Sequence, residues 1–177
     1  RVVELLTEYF EEMQGVVEHH HGAIIEYVGD GILAIFGAPQ ELKGHPDHAT
    51  RCALAMQKSL SALNARWTER GVTHLWKKHG IERFHVRIGV HTGRVVAGNM
   101  GSRSTMKYSV VGDPVNVAAR LEHLNVKLGT RILISQQVYD RLDANLRMQA
   151  KDEGPQILKG RTQAEQVYSF ASEQAKP

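Results

Sequence analysis

Residues 24–37 read IIEYVGDGILAIFG, two short apolar runs on either side of a glycine-aspartate-glycine triplet. Apolar segments of this length, bounded by turn residues, predict two strands, Ala23–Val28 and Gly31–Phe36. Gly29-Asp30-Gly31 is the tight turn between them, because glycine accepts the backbone geometry of a two-strand hairpin and aspartate tolerates it. The hairpin carries two acids four residues apart, Glu26 and Asp30. An aspartate between glycines is ordinary turn chemistry. It is also a carboxylate projected from the end of two strands, where a hard cation with a polyphosphate can be held. Spacing alone leaves both readings open.

Outward from the hairpin, Leu5, Leu6, Tyr9, Met13, Val16 and Val17 recur at helical spacing. No capping residue precedes them, so the chain is expected to begin inside a larger protein. Gly37, Pro39, Gly44 and Pro46 mark a loop, and a long helix follows with Ala49, Cys52, Ala53, Met56, Leu60, Leu63 and Trp67 on one stripe. The polar segment 68–83 reads as an irregular excursion with room for partial order. In HVRIGV, Val86, Ile88 and Val90 alternate with polar or small residues, the period of a half-buried strand. Val95–Ala97 suggests another short strand, GNMGS a hairpin turn, and KYSVVGD a further strand. Asp113 is placed to cap a helix that Pro114 opens. A strand at Ile132–Ile134, a helix around Gln136–Leu142 and a strand near Gln166–Phe170 close the chain. Strands interleaved with amphipathic helices predict an α/β sandwich with helices packed on a sheet.

The 177 residues suit one domain. The net charge of +3 is spread along the chain, which argues against nucleic acid as a partner and is compatible with a small anionic substrate. Cys52, the single cysteine, cannot form an internal disulfide, so a reducing, cytoplasmic setting is expected. No apolar run has the roughly 18 residues of a membrane span, and no membrane contact by this domain is expected. His19, His20 and His21 are consecutive on a helix and point in different directions, which reads as a polar helix end.

Asn116 and Arg120, four apart, share one face of the Pro114 helix, while Val117, Leu121 and Leu124 form an apolar stripe on another. A solvated polar face accounts for the pair. A bidentate guanidinium beside an amide also suits a phosphate and a sugar.

Three stretches, YVGDGILAIFGAP, RIGVHTGRVVAGNMGS and YSVVGDPVNVAARLE, resemble in order the signatures of the class III nucleotidyl cyclase catalytic domain. LTEYFEEM resembles that family's first helix and LKGRTQAEQVYSF its closing segment. The resemblance implies a ferredoxin-like α+β sandwich with a mixed, largely antiparallel sheet. It implies that the 3′-hydroxyl of a nucleoside triphosphate attacks its own α-phosphate, with two Mg²⁺ or Mn²⁺ ions lowering the hydroxyl's pKa and neutralising the leaving oxygens. Asp30 matches the second metal aspartate. The first lies in a strand and loop that would precede Arg1, and its absence keeps open a non-catalytic pseudocyclase. By the same resemblance Arg120 stabilises charge on the transferring phosphate, Asn116 orients the ribose, Lys159 meets the terminal phosphates and Arg87 the β-phosphate region.

Adenylyl members of that family place a lysine four residues before the metal aspartate, and an aspartate or threonine three before the glycine of the GDxVN motif. Glu26 and Ser109 stand at those positions. Guanine offers N1–H and N2–H₂ donors and an O6 acceptor, so a glutamate can accept from both donors and a hydroxyl can donate to O6. Opposite adenine N1, Glu26 would set acceptor against acceptor, at about 1–3 kcal/mol. The expectation is therefore a guanylyl cyclase acting on GTP, with an adenylyl cyclase of atypical base pocket as the alternative. In this family each site is built between two subunits, and one chain carrying both residue sets suffices for a homodimer.

Overall fold

A computed structural model describes residues 2–172. Its centre is β6 (Ile132–Ser135), a short run buried along its whole length. Ile132 and Ile134 face one way, joining Ala53, Val138, Leu142, Leu146 and Phe170. Leu133 faces the other way, joining Val117, Leu121, Leu124, Leu158 and Val167. A strand apolar on both faces must be covered on both, which is why this one lies inside the sheet and between helices. It pairs in parallel with β3 (Ile88–Val90) and antiparallel with β8 (Ala164–Phe170), which in turn pairs antiparallel with β7 (Ala150–Ile157). The sheet order is β3-β6-β8-β7.

Helix α1 (Val2–His19) packs on α2 (His45–Glu69) through Leu5, Tyr9, Met13, Leu60, Leu63 and Trp67. Two hairpins stand beside this body: β1 (Ala23–Val28) with β2 (Gly31–Ile35), and β4 (Val96–Ser102) with β5 (Thr105–Val111). Helix α4 (Asp113–Leu128) lies against β3, and Gly89 sets how close it comes. A Cβ built on Gly89 would stand 2.2 Å from the Ala118 carbonyl oxygen and 2.4 Å from the Glu122 amide nitrogen. At the far end of α4, buried Asn125 donates to the Ile88 carbonyl at 3.1 Å and accepts from the Thr130 hydroxyl at 2.7 Å.

The excursion at residues 68–83 is ordered in part, as a short helix, α3 (His74–Lys77), whose Trp76 is buried edge-on against Trp67 and Phe84. Several sequence expectations need correction. The HVRIGV strand is shorter than its alternation suggests. Residues 84 and 86 are held instead by amide side chains of α2: Asn64 both donates to and accepts from the Phe84 backbone, and Gln57 donates to the Val86 carbonyl at 2.8 Å. GNMGS is strand, with Asn99 paired to Tyr108 and Met100 to Lys107, and the hairpin turns after Ser102. The N-cap of α4 is Gly112, and Asp113 is its first helical residue, its carboxylate bonded to Arg161. Between α5 (Gln136–Tyr139) and β8 lie two elements that were not anticipated, α6 (Ala144–Gln149), capped by Asp143, and β7. β7 is a polar edge strand with Pro155 at a register shift, the position where a sheet tolerates proline.

Candidate active site

Each candidate residue sits where a regular element ends or meets another. Asp30 lies in the turn of the first hairpin, fully on the surface, and Glu26 lies on β1 beyond a register shift between Ile24 and Glu26. Glu26 is not a free acid. The Lys107 ammonium, on β5, donates to its Oε1 at 2.5 Å, joining the two hairpins. Lys107 and Ser109 are two apart on β5 and so share a face. Glu26, Lys107 and Ser109 therefore form one group, a carboxylate, an ammonium and a hydroxyl.

The second group is built on α4. Asn116 is exposed and Arg120 half-buried, one turn apart. The segment carrying Lys159 is a tight turn: the Arg161 amide donates to the Leu158 carbonyl at 2.9 Å, and Gly160 adopts φ 75°, the left-handed value such a turn requires. This turn lies on Arg120, since a Cβ built on Gly160 would be 3.7 Å from Arg120 Nη2. Arg161 bonds Asp113, the first residue of α4, through Nη2 and Glu165 at 3.3 Å through Nη1. Lys159 and Arg120 are thus neighbours.

Arg87 belongs to neither group. Its Nε donates to Glu122 Oε1 at 2.9 Å. Glu122 is two residues past Arg120, about 200° around the helix, so the two arginines occupy opposite flanks of α4. Among the described residues no cluster of three or more histidine, cysteine, aspartate or glutamate side chains could hold a metal alone. Asp30 fits one carboxylate of a Mg²⁺ or Mn²⁺ site in which substrate phosphates supply other ligands. Lys107, Asp113, Arg161 and Glu122 were missed by the sequence reading. Only Lys107 carried a signal, its period-2 spacing from Ser109.

A titratable group borders the second cluster. His91 Nδ1 lies 2.8 Å from the Ser135 hydroxyl, and burial lowers its pKa, against the opposing pull of Glu165 and Asp113. Arg161 and Arg141 push in the same direction as burial.

The fold and this arrangement belong to a nucleotide-cyclising domain. Residues 1–171 match the family described as the adenylate and guanylate cyclase catalytic domain, and the chain belongs to that family. It is 36% identical over 167 residues to adenylate cyclase 1 of Rhizobium meliloti, covering 94% of this chain and 24% of that protein. Among solved structures it resembles the guanylyl cyclase Cya2, with a TM-score of 0.77, 33% identity and coverage of 97% and 80% of the two chains. It also resembles the adenylyl cyclase CyaB from P. aeruginosa, with a TM-score of 0.76, 27% identity and coverage of 97% and 83%. The chain therefore spans about a quarter of its curated relative. Its fold is the mixed α+β fold of class III cyclases. No helix among the described residues is long and apolar enough to cross a membrane.

Proposed function

We propose that this domain is a guanylyl cyclase, converting GTP to 3′,5′-cyclic GMP and pyrophosphate at sites shared by two copies of the chain. The observation that carries the choice of base is Glu26, held by Lys107 beside Ser109. A carboxylate can only accept hydrogen bonds, and guanine N1–H and N2–H₂ are the pair of donors that fit it. Ser109 and Lys107 supply donors for O6.

In the reaction the ribose 3′-oxygen forms a bond to the α-phosphorus as the bond to the pyrophosphate oxygen breaks. Asn116 orients the ribose, and Arg120 balances charge on the phosphorus oxygens as it shifts. Lys159 meets the terminal phosphates and Arg87 the β-phosphate region. Asp30 would supply one carboxylate to the divalent ions, whose charge would lower the hydroxyl's pKa.

Two observations support the homodimer. Arg87 and Arg120 face away from each other across α4, as expected if they serve different sites. The hairpins also expose apolar side chains, Tyr27 and Val28 on one and Val96, Met106 and Val111 on the other, more than a solvated hairpin needs.

An adenylyl reading is favoured by the name of the R. meliloti relative and by Lys107 itself, which could donate to adenine N1 while Glu26 accepts from N6. Glu26→Lys separates the two. On the guanylyl reading it lowers kcat/KM for GTP by about tenfold or more relative to ATP. An unchanged ratio would show that Glu26 does not read the base.

A further inference from the structure

The turn that presents Lys159 is fastened at both ends, and only one fastening is apolar. On its first side Leu158 is buried, 1% exposed, among Val117, Leu121 and Leu124 of α4. On its other side Arg161 reaches the opposite end of the same helix surface and bonds Asp113 in its first turn. The same guanidinium bonds Glu165, four residues on, so one side chain joins the Lys159 turn, the start of β8 and the start of α4. Arg161 is only 28% exposed, Glu165 17%. Asp113, which should cap α4 by sequence, instead gives its carboxylate to this contact.

We infer that Arg161 is a positioning residue for substrate binding, tying the Lys159 turn to the first turn of α4 so that Lys159 is held in fixed register with Arg120 and Asn116. The inference rests on the proposed role of Lys159 at the terminal phosphates and goes beyond it. Its physical basis is geometric. Lysine has four rotatable bonds and a strongly hydrated head, so its ammonium is placed only as well as its backbone is. Gly160 leaves that backbone soft, and Leu158 fixes one end of it. Without the Asp113 bond the turn can rock about Leu158, away from Arg120. A guanidinium is suited to the task because its fork can hold two carboxylates in different directions at once, which an ammonium on a flexible stem does less well. Asp113 is 66% exposed, so the Arg161–Asp113 half of the contact adds little to overall stability. Its consequence is local.

The test is a double-mutant cycle in the full-length protein, with GTP turnover measured under Mn²⁺. Arg161→Gln should raise KM for GTP roughly tenfold with kcat within about threefold, the pattern of lost binding that is equal in ground and transition states. Asp113→Asn should do the same. Arg161→Lys should recover part of the loss. The melting temperature of Asp113→Asn should stay within about 3 °C. The decisive reading is Arg161→Gln in a Lys159→Met background, where it should cost less than about twofold, because the residue it positions is gone. A tenfold cost in both backgrounds would overturn the inference and assign Arg161 a role independent of Lys159. A Lys159→Met protein with unaltered KM would instead remove Lys159 from the substrate, and the inference would fall with that assignment while GTP turnover itself stood.

Discussion

Lys107 changes what Glu26 is. By sequence Glu26 is the acid expected to read the base; in the structure it is also half of an ion pair between two hairpins. The Glu26 position was legible because it lies a fixed four residues from Asp30 on the same hairpin, but its partner lies 81 residues away, on an element whose contact with β1 no local pattern reveals. The same limit hid Arg161 and Asp113. Titration is a second property of single residues here. His20, His45 and His91 each have a pKa lowered first by burial. A histidine whose folded pKa lies below its unfolded value of about 6.5 binds protons more readily in the unfolded chain. Its contribution to stability is therefore fully present above pH 6.5 and is lost as pH falls through the folded pKa. The melting temperature should drop between pH 7.5 and 5.5, before Glu8 and Glu12, whose pKa values are also lowered, begin to protonate. His91→Asn should flatten the drop. A melting temperature constant over that window would contradict the burial argument.

At the scale of elements, the hairpin at 23–35, α1, α2, α4 and β6 were legible because each has a single dominant pattern. Others were hidden by composition. The sequence GNMGS reads as a turn, and β7 contains both glycine and proline; pairing with β5 and β8 overrides those local preferences. Residues 84–87 fail in the other direction, since a strand-like alternation is satisfied by Asn64 and Gln57 rather than by a neighbouring strand. The element on which the site depends most is α4, and Gly89 governs its seat. Gly89→Ala should destabilise the domain by on the order of 3 kcal/mol, since the new methyl meets α4 backbone that cannot yield without moving Asn116 and Arg120. Gly98→Ala in β4, where an added Cβ meets nothing within 4 Å, should cost less than about 1 kcal/mol. Equal melting temperatures for the two variants would show that α4 is not seated as described.

At the scale of the whole molecule, the fold gathers the candidate residues into two halves. One half, on the two hairpins, offers a carboxylate, an ammonium and a hydroxyl that suit a purine edge. The other, on α4 and the Lys159 turn, offers an amide and two cations that suit ribose and phosphates. Class III cyclase architecture was legible in the sequence because its signatures fall in order along nearly the whole chain, and the match over residues 1–171 agrees. The nucleotide it accepts was not equally legible, because it turns on a few side chains that meet only after folding. Similar structures include both a guanylyl and an adenylyl cyclase. The central claim is thus one of base recognition. It is tested most directly by measuring kcat/KM for GTP and for ATP side by side, under Mn²⁺, in the full-length protein. The account predicts cyclic GMP formation favoured by about tenfold or more; cyclic AMP formed with equal or greater efficiency would contradict it.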